Sequence, residues 1–232
     1  MKIINKISNS FTRGNYEKNS INDINALINL NNLIDVYLPW SQSAIKPSIL
    51  KKILNDILVN KRTAIAECGS GISTLYIASL IKQHSLDSAK FYSIDHNKEW
   101  INVLRSYCNK LDLNSEVQFI HAPLKKFENN FREVDWYDSA ILDSKLNKIS
   151  IDQLIVDGPP AYKPKLKYSR YPAAIYFKKK IAGNFSIFLD DTDRKAEKLI
   201  KEKWSGILNV DFHYGSQDKS VAIGIKGKAF NI

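Results

Sequence analysis

Residues 63–76, TAIAECGSGISTLY, constrain the fold of this chain more than any other stretch. Thr63-Ala64-Ile65-Ala66 is a short apolar run closed by an acid, Glu67, the pattern of a buried parallel strand. Gly69-Ser70-Gly71 follows at once. Ser73-Thr74 then opens a run with Leu75, Ile77, Ala78, Leu80 and Ile81 on one face, which predicts a helix with Ser73 as its N-cap. Strand, glycine turn and helix form the first unit of an open parallel sheet, where a nucleotide-type ligand rests on the turn. The glycines let backbone and ligand approach closely.

The acids around the turn select the ligand. A dinucleotide would bring a pyrophosphate, which Glu67 repels, and the third glycine of the dinucleotide fingerprint is replaced by Thr74. S-adenosylmethionine (SAM) carries no phosphate, and its ammonium and sulfonium are both attracted by a carboxylate. Asp95 closes the next apolar run, Phe91-Tyr92-Ser93-Ile94, 24 residues after Gly71. An acid at that distance, ending the second strand, can accept both ribose hydroxyls. The combination favours SAM over NAD.

Further along, Val117-Gln118-Phe119-Ile120 predicts a third strand, with His121-Ala122-Pro123 following it at the edge where the adenine would lie. Residues 125–150 read as a loop plus a short helix. Residues 151–156 predict a fourth strand ending in Asp157, and residues 185–189 a fifth ending in Asp190-Asp191. A helix is expected from about Pro172 to Ala182, and another, capped by Asp193, to about Lys203. Residues 207–213 and 219–226 predict a terminal hairpin, making seven strands. Ahead of the first strand, Ile24, Leu27, Leu30, Leu33 and Ile34 recur at helical spacing within 21–38, and Pro47 starts a second helix. Residues 1–20 are polar and aperiodic, the character of a mobile arm.

In its motifs the chain resembles the class I SAM-dependent methyltransferases. Glu67-Cys68-Gly69-Ser70-Gly71 matches their first motif and Asp95 their ribose acid; Asp157-Gly158-Pro159-Pro160, Arg170-Tyr171-Pro172-Ala173 and Leu189-Asp190-Asp191 extend the match over roughly residues 40–226. Within the class the pattern is most similar to bacterial small-molecule and sugar O-methyltransferases. The resemblance implies an α/β fold: a Rossmann-like seven-stranded sheet with helices on both faces and an N-terminal helical extension. It also implies a core over 61–232 and makes 21–60 a helical segment whose loop can act as a cofactor lid. Trp40 in that loop either belongs to the lid or simply packs the helices on the sheet. The implied SAM-binding set is Glu67, Gly69, Ser70, Gly71, Ser73, Thr74, Asp95, His96, Ala122 and Asp157.

For the chemistry, Asp157, Asp190 and Arg170 are the candidate catalytic residues. Asp157, Asp190 and Asp191 are carboxylates without a Cys/His cluster beside them, a donor set that suits Mg²⁺ or Mn²⁺. The arrangement resembles the catechol O-methyltransferase type, in which such acids hold Mg²⁺, although that type has an amide where Asp191 stands. The same acids also suit a metal-free general base or a helix cap. His121 is a weaker candidate base. Lys163, Lys165, Lys167 and Arg170, interleaved with Tyr162, Tyr168 and Tyr171, suit an acceptor pocket for an anionic group or a solvated basic loop. In Asp157-Gly158-Pro159-Pro160-Ala161-Tyr162, Gly158 and Ala161 break the D-P-P-Y motif of amino-methyltransferases, which disfavours a nucleic-acid N-methyltransferase.

Charge and composition bound the partners. The net charge of +10 points to an anionic acceptor, a saccharide or other small molecule, or reflects only a Lys-, Asn- and Ile-rich composition. RNA is the alternative partner that this charge permits, but no recognisable RNA-binding module accompanies it. No window reaches the length of a membrane span, and the first residues lack the apolar core of a signal peptide. With two cysteines, Cys68 and Cys108, a reducing cytoplasm is the expected compartment. A non-catalytic SAM-fold binding protein remains the rival class.

Overall fold

The structure is a computed structural model that describes residues 20–41, 43–216 and 219–232, with the Lys165 side chain outside the description. The expected arm therefore falls almost entirely outside the described residues. The glycine-turn unit forms as the sequence pattern requires. Strand β1 (Ala64–Cys68) runs into the turn, and helix α3 (Ile72–Gln83) leaves it, after α1 (20–30) and α2 (Pro47–Val59). Strand β2 (Lys90–Asp95), helix α4 (Lys98–Leu111) and strand β3 (Gln118–His121) complete the first half of the sheet. A separate antiparallel pair, β4 (Leu124–Phe127) and β5 (Val134–Tyr137), precedes α5 (Ser139–Lys145). The second half is β6 (Ile151–Val156), α6 (Pro172–Phe177), β7 (Ile181–Asp190), α7 (Lys195–Leu208), β8 (Phe212–Tyr214) and β9 (Val221–Lys226).

The seven strands lie in the order β3-β2-β1-β6-β7-β9-β8. The first five are parallel and β9 runs antiparallel to both neighbours. The chain travels outward from β1 to β3 and then returns to the other side of β1. Its direction therefore reverses between β1 and β6, and a crevice opens beyond their carboxyl ends.

Side-chain alternation divides the core into two layers. Ile65, Phe91, Ile155 and Phe188 face the layer that contains Leu30, Ile49, Ile53 and Ile77 of α1–α3. Ala66, Ile94, Leu154, Val156 and Leu189 face the other, with Phe177 of α6 and Trp204 of α7. Glu67, Asp95, Asp157 and Asp190 follow the register of the first set, so all four acids turn toward the α1–α4 side. Below them, at the opposite end of the strands, Asp56 is fully buried and paired with Arg62 at 3.0 Å. Gln153 Nε2 and Ser186 Oγ also donate to Asp56, tying α2 to β6 and β7.

Several expectations are corrected. The first helix stops at residue 30 instead of reaching 38, and Ile24 is exposed. Gly71, not Ser73, is the N-cap of α3: its backbone is extended and its amide donates to Thr74 Oγ1, while Ser73 lies inside the helix with its hydroxyl on Glu67. The 125–150 segment contains most of the β4–β5 pair, whose strand is hidden because the adjacent Lys125 and Lys126 are both exposed and break the alternation expected of a strand. Helix α6 ends at Phe177, and β7 begins at Ile181, extending four residues further upstream than the apolar run. Arg194, rather than Asp193, occupies the N-cap of α7, with no side-chain cap bond. That helix continues to Leu208, which shortens the first hairpin strand to β8. Gln217 and Asp218, in the hairpin turn, lie outside the described residues, as does Gln42.

Candidate active site

A cavity of about 330 Å³ opens at the switch point between β1 and β6. Its floor is the glycine turn, and the geometry there follows from two close backbone approaches. Gly69 has φ +97° and its Cα side faces Gly158: a Cβ built on it would lie 2.7 Å from the Gly158 nitrogen. A Cβ on Gly158 would lie 2.6 Å from the Tyr137 hydroxyl. The Asp157 and Gly158 amides both donate to the Cys68 carbonyl, at 2.9 and 2.7 Å, which locks the two strand ends together. Both small residues are therefore required by the packing at the switch point.

The three amides of Gly69, Ser70 and Gly71 are all engaged within the protein. Gly69 N donates to Ile94 O at 2.9 Å, Ser70 N to Asp95 Oδ2 at 3.0 Å, and Gly71 N to Thr74 Oγ1 at 3.0 Å. A pyrophosphate site needs these groups free and pointing at the ligand. Asp95 is held in place by Ser70 and by the Asn97 amide, 2.7 Å from its Oδ1. It lines the cavity with His96 and retains further acceptor capacity for two hydroxyls. The Trp100 indole, on the first turn of α4, donates to Ser70 O at 2.8 Å and forms part of the wall with Leu104 and Tyr107.

Glu67 does not line the cavity. Its position on β1 points it under the turn, where Ser73 Oγ, Thr74 Oγ1 and Ser93 Oγ donate to its two oxygens at 2.5, 2.5 and 2.8 Å. Burial raises its pKa to about 7, outweighing the three hydroxyls that favour the ionised form. The carboxylate acts on the turn from beneath, through α3, instead of touching a ligand. Thr74 and Ala122 are likewise buried outside the lining, whereas Gly69, Ser70, Gly71 and Ser73 belong to it.

The same cavity is lined by Asp157, Asp190, Asp191, Arg170 and Arg194. Asp157 and Asp190 follow directly on the paired residues Val156 and Leu189 of β6 and β7, which brings them side by side. One oxygen of each of Asp157, Asp190 and Asp191 lies within 4.8 Å of the others. Arg170 stands among them with its side chain 3% exposed. Its Nη2 is 3.1 Å from Asp157 Oδ1 and 2.8 Å from Asp191 Oδ2, and Arg194 Nη1 is 2.8 Å from the same Asp191 oxygen. Burial and the neighbouring Asp190 push Asp157 well above the usual carboxylate range against the pull of Arg170. Burial and Asp191 raise Asp190 to about 6. Burial opposes the charge of Arg170, yet Asp157, Asp191 and Asp190 carry its pKa above the ordinary value.

The three oxygens fit a hard divalent cation in type and spacing. The charge does not fit, since Arg170 bonds one oxygen of Asp157 and one of Asp191 and Arg194 shares the latter, which sets two positive charges against the group a cation would use. Arg170, expected to grip an acceptor from the basic loop, is instead bound by the acids and by the Asp157 and Asp190 carbonyls.

Other expected residues lie apart from the site. His121 Nε2 bonds the His96 carbonyl at 3.1 Å, and the ring is outside the lining. Tyr168 and Tyr171 pack on Phe131, with ring centroids 5.3 and 4.7 Å away, and only Tyr162 of the three tyrosines reaches the cavity mouth. Lys163 and Lys167 are exposed beyond it. Trp40 packs on Tyr76 of α3, while Pro39, Ser41 and Ala44 from the same loop line the mouth. Tyr137, Trp100, Tyr107 and Arg194 line the cavity as well, outside every sequence motif. Of these only Trp100 gave a signal, an aromatic one turn beyond the ribose acid. The Tyr137 hydroxyl is buried in the lining without a partner among the described residues.

A family profile described as "Methyltransferase domain" matches residues 66–192. No curated protein matches the chain. Among solved structures, the chain is similar to the methyltransferase PaMTH1 of Podospora anserina, bound to SAH, with 13% identity and a TM-score of 0.59 over 88% of each chain. It is also similar to TomG of Streptomyces achromogenes, an O-methyltransferase of tomaymycin synthesis in complex with SAM, with 12% identity, a TM-score of 0.53, and 85% and 86% of the two chains covered. A methyltransferase from Geobacter sulfurreducens gives 12% identity and a TM-score of 0.52, covering 88% of this chain and 90% of its own. At these identities the likeness concerns the fold.

Proposed function

The chain belongs to the class I SAM-dependent methyltransferase family, and from that membership we propose that it methylates a hydroxyl oxygen of a small or glycan-linked, anionic acceptor. One observation carries the reading: the glycine turn, Asp95 and the Asp157–Asp190–Asp191 group line the same cavity. SAM lies with its ribose on Asp95 and its methionine moiety over Gly69–Gly71, which directs the sulfonium toward the ends of β6 and β7. The carboxylates there attract the sulfonium and accept hydrogen bonds from hydroxyls.

The acceptor oxygen attacks in line, forming the O–C bond as the C–S bond breaks and S-adenosylhomocysteine leaves. The hydroxyl proton passes to the Asp157–Asp190 pair. Holding both reactants in this geometry supplies much of the rate. An acid-lined interior repels an anionic group, so that part of the acceptor faces outward, toward Arg194, whose side chain is 41% exposed, and toward Lys163 and Lys167. The cavity is at the small end for ligand sites, and SAM fills most of it. The acceptor therefore reaches in with a single hydroxyl from the mouth formed by Tyr162 and the 39–45 loop.

Transfer of labelled methyl from SAM to paired acceptors, a phosphorylated or uronic saccharide and its neutral counterpart, tests this reading. The anionic member should be preferred and should yield an O-methyl product. Arg194→Ala should raise KM for it about tenfold and leave the neutral member unchanged. An N-methyl product, or no preference between the pair, would contradict the proposal.

A further inference from the structure

The group facing the methyl donor contains an unusual cation. Arg170 enters from the loop before α6, and its guanidinium is fixed by four oxygens. Nη1 donates to Asp190 O at 3.0 Å, and Nη2 donates to Asp157 O at 2.7 Å, to Asp157 Oδ1 at 3.1 Å and to Asp191 Oδ2 at 2.8 Å. The two carbonyls belong to the ends of β6 and β7, so they cannot swing aside. They hold the guanidinium between the carboxylates independently of side-chain rotamers. Arg194 adds a second charge on Asp191. Mg²⁺ demands oxygen ligands at about 2.0–2.1 Å in near-octahedral geometry, and Mn²⁺ shares the preference for octahedral oxygen sites. An ion drawing on Asp157 and Asp191 would have to stand against Arg170, and a guanidinium cannot give up its proton to relieve the repulsion.

We propose that Arg170 supplies the positive charge that a divalent metal would otherwise supply to Asp157, Asp190 and Asp191, so that the site works without a metal. This deepens the methyltransferase reading and rests on it for its catalytic meaning. Arg170 is then a positioning residue: it bridges Asp157 and Asp191 in fixed directions and leaves the carboxylate of Asp190, whose carbonyl alone it touches, to meet the acceptor hydroxyl. Nη2 bridges the two acids while Nη1 reaches the Asp190 carbonyl, a span that needs the planar fork and that the single nitrogen of an ammonium would perform poorly.

The test is Mn²⁺ binding to the full chain, followed by electron paramagnetic resonance with and without SAM. The native protein should retain no Mn²⁺ below roughly millimolar concentration. Arg170→Gln should open the three carboxylates and create a site at least about tenfold tighter, which a second change, Asp191→Asn, should remove again. An arginine that only packed the loop before α6, with its charge not acting on the carboxylates, would produce no such gain. Micromolar Mn²⁺ on the native protein, released by Asp157→Asn or Asp191→Asn, would overturn the proposal. So would an Arg170→Gln protein with native circular dichroism that gains no site. If Arg170→Gln does not fold, the native titration decides alone. Calorimetry of SAM on the same native sample reports separately on the methyl-donor reading.

Discussion

Gly69→Ala is expected to destabilise the protein by about 3 kcal/mol or more and to abolish SAM binding. Two costs combine. The residue has φ +97°, in the region where a side chain costs about 1–3 kcal/mol. Its new Cβ would also lie 2.7 Å from the Gly158 nitrogen and 3.0 Å from the Asp157 carbonyl carbon, and overpacking of this kind costs about 1–3 kcal/mol. Relief by movement is blocked, because both amides of that segment donate to the Cys68 carbonyl. Any shift that did occur would separate β1 from β6 at the point where the cavity opens. Urea denaturation measures the first effect and calorimetry the second. Gly71→Ala is the matched control: its φ is −164° and its Cβ would meet only Ser73 Oγ at 3.8 Å. Stability there should change by less than about 1 kcal/mol, so a loss of SAM binding at Gly71 would report contact with the ligand.

Arg62→Ala is expected to cost about 3–5 kcal/mol, since it strands a buried carboxylate. Asp56 is 0% exposed and Arg62 3%. The guanidinium donates to both Asp56 oxygens, at 3.0 and 3.1 Å. Gln153 and Ser186 donate to the same group but bring no charge. At this chain length the melting temperature should fall by roughly 10 °C. Asp56→Asn in the Arg62→Ala background should recover part of the loss, because the amide needs no counter-charge. A fall of only a degree or two would mean that water reaches Asp56 once the arginine is gone. The pair lies at the opposite end of the strands from the cavity, so SAM affinity in the surviving folded protein should be unchanged.

The sequence was most legible where one physical requirement dominated. Strands β1 and β2 are buried on both faces and read as short, mainly apolar runs closed by acids, as does the Leu154-Ile155-Val156 half of β6 ahead of Asp157. Their spacing sufficed to put Asp95 and Asp157 at one sheet edge. The β4–β5 pair was illegible because Lys125 and Lys126 are solvent-facing strand residues, indistinguishable in composition from a loop. The direction of Glu67 required the register of β1 against β2, which sets it opposite Ser93 and beneath α3. Arg170 was legible as part of a motif but not as a partner of Asp157 and Asp191, since that contact joins a loop to two strand ends. Tyr137 entered the cavity from the pair that had been read as loop. Local pattern thus gave the strands and the acids, and the partners of those acids depended on tertiary register.

The most direct test of the account is calorimetric titration of SAM into the native protein and into Asp95→Ala. Asp95 is tied to the turn by Ser70 and Asn97 and is the one cavity acid suited to the ribose. Native protein should bind SAM in the micromolar range typical of small-ligand sites. Asp95→Ala should lose on the order of a hundredfold or more, because charged hydrogen bonds to two hydroxyls contribute about 1.5–3 kcal/mol each. Circular dichroism should show the variant still folded. SAM bound equally well by a folded Asp95→Ala protein, or not bound at all by the native one, would contradict the placement of the cofactor on the glycine turn.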